Sequence, residues 1–151
     1  MILYSSLGVK EAVVGIFVYE EKVVLGKKKK GEKWFSGRWH FPGETLKEGE
    51  TDGQGLCRGA REELGLTAIS IIRMLTSHIS PNGIEVRWYL CQIFSDNLIP
   101  GSDLEEVKLI PTVRVEEEYD KEALTLIPEE INLLIRRWRR SGASRFPKER
   151  R

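Results

Sequence analysis

Five glutamates crowd the stretch from Pro42 to Leu66: Glu44, Glu48 and Glu50 around two glycines, then Glu62 and Glu63 side by side. Their spacing puts Glu62 and Glu63 in the last turn of a helix. That end of a helix carries partial negative charge, so both carboxylates are unfavourable there. Arg58, four residues before Glu62, offsets one of them by roughly 0.3 kcal/mol on an exposed face. Gly43 and Gly49 let the segment bearing Glu44, Glu48 and Glu50 fold back toward the pair. Acids gathered at a tight glycine turn become stable when a divalent cation neutralises them. Donor sets made only of oxygen favour Mg2+, Mn2+ or Ca2+ over zinc. On the residues alone, the alternative is a solvated, charged helix face.

A scaffold must hold such acids together, and the flanking pattern supplies one. Residues 12–19 form a nearly continuous apolar, β-branched run that reads as a buried strand. Glu20-Glu21 turns it into a second strand over 22–26, and residues 27–38 form a basic loop. Trp39-His40-Phe41 is a short aromatic stretch stopped by Pro42-Gly43. Thr51 and Gln54 have capping-box spacing at the start of the helix, and Gly65 suits a left-handed cap at its end. Leu56, Cys57, Ala60 and Leu64 form its apolar stripe. Strands are expected at 69–75, around 76–79, at 85–94 and at 107–115, the last broken at Pro111, with Pro81-Asn82-Gly83 as a turn and 95–106 as a long polar loop. Pro128 opens a final amphipathic helix through Ile131, Leu134, Ile135 and Trp138, with Gly142 past its end. The order predicts a mixed α/β sandwich.

The glutamate-rich stretch resembles the signature of the Nudix hydrolases: Gly, five residues, Glu, seven residues, then Arg-Glu-apolar-x-Glu-Glu-x-Gly-apolar. Glu50, Arg58, Ala60, Glu62, Glu63, Gly65 and Leu66 occupy seven of its nine fixed positions at the correct spacing, and Phe41-Pro42-Gly43 fits the usual lead-in. Two positions depart. Glu44 stands where the first Gly belongs, and Gly59 stands where the Glu after Arg belongs. In the family that missing carboxylate is a metal ligand or the general base. A glycine inside a helix also costs about 1 kcal/mol relative to Ala, so propensity does not explain Gly59.

The resemblance implies the family's α/β/α sandwich with a mixed β-sheet between helices, over roughly residues 8–140. It implies an Mg2+-dependent (or Mn2+-dependent) hydrolase that cleaves the pyrophosphate bond of a nucleoside diphosphate linked to another group. Glu62, Glu63, Glu50 and the Gly43 carbonyl are then the expected metal ligands, with Arg58, His40, Trp39 and Glu44 on the substrate side. With Gly59 unable to act as base, Glu62 and Glu63 are joined as catalytic candidates by Glu105 and Glu106, beside Asp103 in the same loop; Glu116 to Glu118 are a weaker option. If position 59 still faces the metals, Gly59→Glu is expected to raise turnover. Ser80-Pro81-Asn82-Gly83 loosely resembles a turn in the subgroup acting on ADP-ribose, which favours that substrate; a plain hairpin turn is the rival reading. The alternatives are a nucleoside triphosphate pyrophosphohydrolase and a catalytically impaired nucleotide-binding module. Lys27 to Lys30 could face phosphates, and Trp34, Phe35, Trp39 and Trp88 could stack a base, although a solvated loop for the lysines and core packing for most of the aromatics are the preferred readings.

Composition bounds the rest. The 151 residues are 40% hydrophobic and 31% charged, which excludes collagen-like, low-complexity and disordered chains. Residues 1–142 read as a single domain and 143–151 as a basic, disordered tail. Residues 136–151 carry eight basic side chains and one acid, so the net charge of +1 hides an acidic body. Arginines at a helix C-terminus suit the helix dipole, so nucleic acid is not the expected partner. No apolar run approaches the ~20 residues of a membrane span. Nor does a secretory pattern open the chain, and a cytoplasmic location is expected. Cys57 and Cys91 are read as small core residues, and His40 and His78 as structural. A homodimer is expected by analogy with relatives.

Overall fold

The computed structural model describes residues 10–30 and 37–141. Seven strands form one mixed sheet: β1 (Glu11–Tyr19), β2 (Lys22–Lys28), β3 (Trp39–His40), β4 (Gly43–Thr45), β5 (Ile69–Ile79), β6 (Glu85–Ile93) and β7 (Leu104–Pro111). Helix α1 (Asp52–Leu64) follows β4, and the short α2 (Val115–Glu118) and α3 (Lys121–Leu124) precede α4 (Glu129–Ser141).

β1 and β2 pair only next to their turn, at Val18–Val23 and Tyr19–Lys22. Beyond that the hairpin opens, and residues 39–45 fill the gap. There β3 pairs with β2 through Gly26–His40, and β4 pairs with β1 through Val13–Glu44 and Val14–Gly43. On the other edge of β1 lies β6, the parallel neighbour, with β5 beyond it. This wedge is what brings Gly43 and Glu44 against the middle of the sheet.

Period-two alternation then divides the core between the two faces. Val13 and Phe17 of β1 join Val24, Cys91 and Ile93 beneath Leu56, Ala60 and Leu64 of α1. Ile16 and Val18 join Val23, Leu25, Trp88 and Leu90 beneath Ile131, Ile135 and Trp138 of α4. The result is the expected α/β/α sandwich, with the mixed sheet between α1 and α4.

The start of α1 is a full capping box. Thr51 accepts from the Gln54 backbone N–H at 3.1 Å, and the Gln54 side chain accepts from the Thr51 N–H at 2.9 Å. Gly65 closes the helix in the left-handed region, with φ of +72°.

Four expectations change. Residues 69–79 are one strand rather than two, kept in register with β6 by irregularities after Ile71 and Met74. β7 begins at Leu104, so Glu105 and Glu106 lie on a strand instead of in a loop. It also stops at Pro111 and continues as a 3-10 turn over Thr112–Arg114 into α2. Pro111 pairs with Lys22, the first residue of β2, so no partner strand remains beyond it. Cys57 is exposed whereas Cys91 is buried, because the buried face of α1 runs through Leu56, Ala60 and Leu64 and Cys57 lies one position round from Leu56.

The basic tail, Trp34 and Phe35 lie outside the described residues. Among the described residues, no helix is long and apolar enough to cross a membrane.

Candidate active site

Arg58 is the hub of the glutamate-rich stretch. Its Nε and one terminal nitrogen donate to the two Glu50 oxygens at 2.7 and 2.9 Å, a bidentate pair. The other terminal nitrogen donates to Glu44 at 2.9 Å and reaches Glu62 at 3.4 Å. A further bond runs to the Thr45 carbonyl at 3.0 Å. Glu50 is fixed again by the Lys47 backbone N–H at 2.9 Å. Hydrogen bonds from Arg58 hold the Glu50 carboxyl down at about 2, against the opposing effect of burial.

Glu63 has the opposite environment. Its side chain is buried at the foot of α1. Burial above all, then a hydrogen bond with Glu44 and the charges of Glu44 and Asp103, push its carboxyl well above the carboxylate range, while the Lys28 charge acts the other way. Glu62 is the exposed member of the pair, its side chain 42% accessible. The loop after β6 reinforces this end of α1. Ile99 and Gly101 donate to the Leu64 and Glu63 carbonyls at 3.0 and 3.2 Å, capping groups that a helix end leaves unmet. The same docking carries Asp103 toward Glu63.

The donor chemistry of this cluster fits a hard divalent cation: carboxylates and backbone carbonyls, with no sulfur or imidazole among them. Burial and the neighbouring charges of Glu44 and Asp103 leave Glu63 short of positive charge, which a proton or a cation would supply. With Arg58 drawing Glu44 and Glu50 toward itself, no three His, Cys, Asp or Glu side chains among the described residues converge on one point. Filling the site therefore means turning carboxylates from Arg58 toward the ion.

Beside this cluster opens a cleft of about 200 Å3. Gly43 and Glu44 line it, and Ser80, Pro81 and Asn82 contribute the turn between β5 and β6. Lys28, His40 and Trp88 also line it. His40 is buried, its Nδ1–H donating to the Phe41 carbonyl at 2.8 Å, and burial lowers its pKa to about 4. Its ring is therefore neutral near neutral pH.

Most of the expected site residues thus come together: Gly43, Glu44, Glu50, Arg58, Glu62 and Glu63 on the cluster, and His40 in the cleft. Trp39 does not line the cleft; its ring carries Lys108 at 4.0 Å and Lys27 at 5.5 Å. Glu106 is paired with Lys27 at 3.2 Å, and Glu105 is exposed on β7. Of the three acids considered in that region, Asp103 is the one whose charge acts on Glu63. Glu116 and Glu118 are engaged by Arg139 and Lys108. Sequence reasoning missed the cleft wall supplied by Tyr119, Leu126 and Ile127. The apolar pair just before Pro128 was the signal available for it.

The expectation for Gly59→Glu changes as well. An added Cβ at Gly59 would fall inside the van der Waals envelope of Glu44 Cγ. A glutamate there meets an occupied space, so the single substitution is expected to harm rather than help.

A sequence model of the NUDIX domain matches residues 9–130, and the chain belongs to the Nudix family. It is accordingly a Nudix-type pyrophosphohydrolase of nucleoside diphosphate derivatives, in a family that generally uses divalent metal ions. Solved structures share the fold. A NUDIX hydrolase from Nitrosomonas europaea is 21% identical with a TM-score of 0.68, covering 91% of this chain and 76% of that one. A MutT protein from Methanosarcina mazei is 14% identical with a TM-score of 0.66, covering 89% and 95%. An ADP-ribose pyrophosphatase from Streptococcus suis is 17% identical with a TM-score of 0.56, covering 68% and 74%. No curated protein matches the chain by sequence.

Proposed function

We propose that this chain hydrolyses, with Mg2+ or Mn2+, the pyrophosphate link of a nucleoside diphosphate joined to a sugar-like group, with ADP-ribose as the favoured type. The observation that carries the reading is the shared cleft. The Ser80-Pro81-Asn82 turn and the Gly43-Glu44 corner line one space of about 200 Å3, so a substrate held by the turn would share its cleft with Glu44. Similarity in fold to an ADP-ribose pyrophosphatase is consistent with this.

Glu62, Glu63, Glu50 and the Gly43 carbonyl would hold the cation. When bound, it would neutralise phosphate oxygens and lower the pKa of a bound water. Arg58 holds the Glu50 and Glu44 side chains beside the site, from which they would turn toward the cation when it binds. Lys28, on the cleft wall, places a positive charge where phosphate oxygens would lie. Water adds to one phosphorus and the bridging P–O bond breaks, so each product keeps one phosphate. Such a nucleotide hydrolase would work in the cytoplasm, where its substrates are.

A panel of ADP-ribose, nucleotide sugars, dinucleoside polyphosphates and nucleoside triphosphates, each with Mg2+, tests the reading. Conversion of ADP-ribose to AMP and ribose 5-phosphate is the expected result. Release of pyrophosphate from triphosphates alone would replace the substrate assignment, and binding without turnover of any compound would overturn the proposed hydrolysis.

A further inference from the structure

Two positions depart from the family's signature, and the fold brings them into contact. Strand β4 pairs with β1 through Val13–Glu44, and α1 packs over the same part of the sheet, so Glu44 projects onto the helix at Gly59. Its Cγ stands too close to where a Cβ on Gly59 would lie for both to be present, and its Cδ and Oε2 stand 3.3 and 3.4 Å from that point. The Glu44 carboxylate therefore lies beside the helix at position 59. The other oxygen, Oε1, takes the Arg58 guanidinium at 2.9 Å. Together Glu44, Gly59 and Glu63 line one small crevice at the foot of α1.

We infer that positions 44 and 59 form a reciprocal exchange: the carboxylate that the signature carries on the helix is delivered here from strand β4 by Glu44, which serves as a ligand for the divalent cation. The exchange conserves charge and side-chain volume. It also explains why a glycine sits inside α1 against its helix propensity: Glu44 needs the space. This inference rests on the metal-dependent hydrolysis proposed above and names a residue within it.

Two roles for Glu44 must be separated, since a side chain that merely braces Arg58 is a positioning residue. Glu44→Gln keeps an oxygen that can accept from Arg58 but removes the charge. Titration with Mn2+ alone, followed by the electron spin resonance of the free ion, then reads ligation directly. The inference predicts that Glu44→Gln weakens Mn2+ binding by about tenfold or more while the thermal transition stays in place. Glu44→Gly should lose the same affinity. Gly59→Glu should lower the melting temperature, because two side chains then contest one space. Combining Glu44→Gly with Gly59→Glu should recover both the melting temperature and Mn2+ affinity. Wild-type affinity in Glu44→Gln, or a folded double variant that binds no better than Glu44→Gly, overturns the exchange. These outcomes leave the hydrolase reading intact provided the wild type binds Mn2+ and turns over substrate. A wild type that binds no Mn2+ overturns both.

Discussion

Two arginines gather acids around α1, Arg87 of β6 at its N-terminal end and Arg58 from within it, and their networks behave oppositely. At the N-terminal end Arg87 of β6 donates to both Asp52 oxygens at 2.7 and 2.8 Å and pairs with Glu11 and Glu85. Asp52 sits where the helix dipole favours an anion, and hydrogen bonds from Arg87 lower its pKa further. Farther along the helix Arg58 gathers Glu44, Glu50 and Glu62, but Glu63 in the last turn remains buried among acids with its pKa raised. The partners of Arg87 come from β1, β6 and the helix start, across as many as 76 residues, whereas those of Arg58 all lie between residues 44 and 62. One network fastens the helix to the sheet. The other leaves a local excess of negative charge, which is what a cation-dependent site requires.

Breaking each network should therefore give different signatures. Arg58→Ala leaves carboxylates packed without their partner, so it should cost about 3 kcal/mol of stability and lower turnover by about tenfold to a hundredfold. Urea unfolding and steady-state kinetics measure both. If Arg58→Ala retained full turnover, the positioning role assigned to Arg58 would be wrong. Arg87→Ala should cost about 1–2 kcal/mol after allowing for solvent screening of its partly exposed pairs, and leave kcat unchanged below the melting temperature. A large fall in kcat with an unchanged melting temperature would erase the contrast.

An effect confined to acid pH, and absent near neutrality, comes from the cleft wall. The pKa of His40 is lower folded, about 4, than unfolded. The unfolded chain therefore binds more protons as pH falls below the ordinary histidine range. Stability is full above that range and declines as pH drops toward 4, by about 2 kcal/mol at pH 5 from this group. Melting curves of wild type and His40→Gln across this window should show a shallower slope in the variant. Parallel slopes would mean that His40 titrates as it does in the unfolded chain.

Much of the site was legible because its determinants are local. Capping by Thr51 and Gln54, termination at Gly65 and the Arg58–Glu62 spacing all lie within one helix, where residue type and interval decide the geometry. The apolar stripe of α4 was legible for the same reason. What escaped depends on strand pairing. Nothing near Glu44 or Gly59 in the chain reveals that a wedge of two short strands sets one against the other. Asp103 stands out from Glu105 and Glu106 only once the Ile99 and Gly101 bonds seat its loop on α1. Trp39 lies beside the lead-in of the signature, yet lysines from β2 and β7 take its ring.

Glu63, the buried acid at the foot of α1, is the proposed ligand of a divalent cation. Mn2+ titration of the wild type and of Glu63→Gln, with both shown to be folded, tests it most directly. Saturable binding by the wild type, weakened by at least about tenfold in Glu63→Gln, is the predicted result. Equal affinity in the two proteins would contradict it.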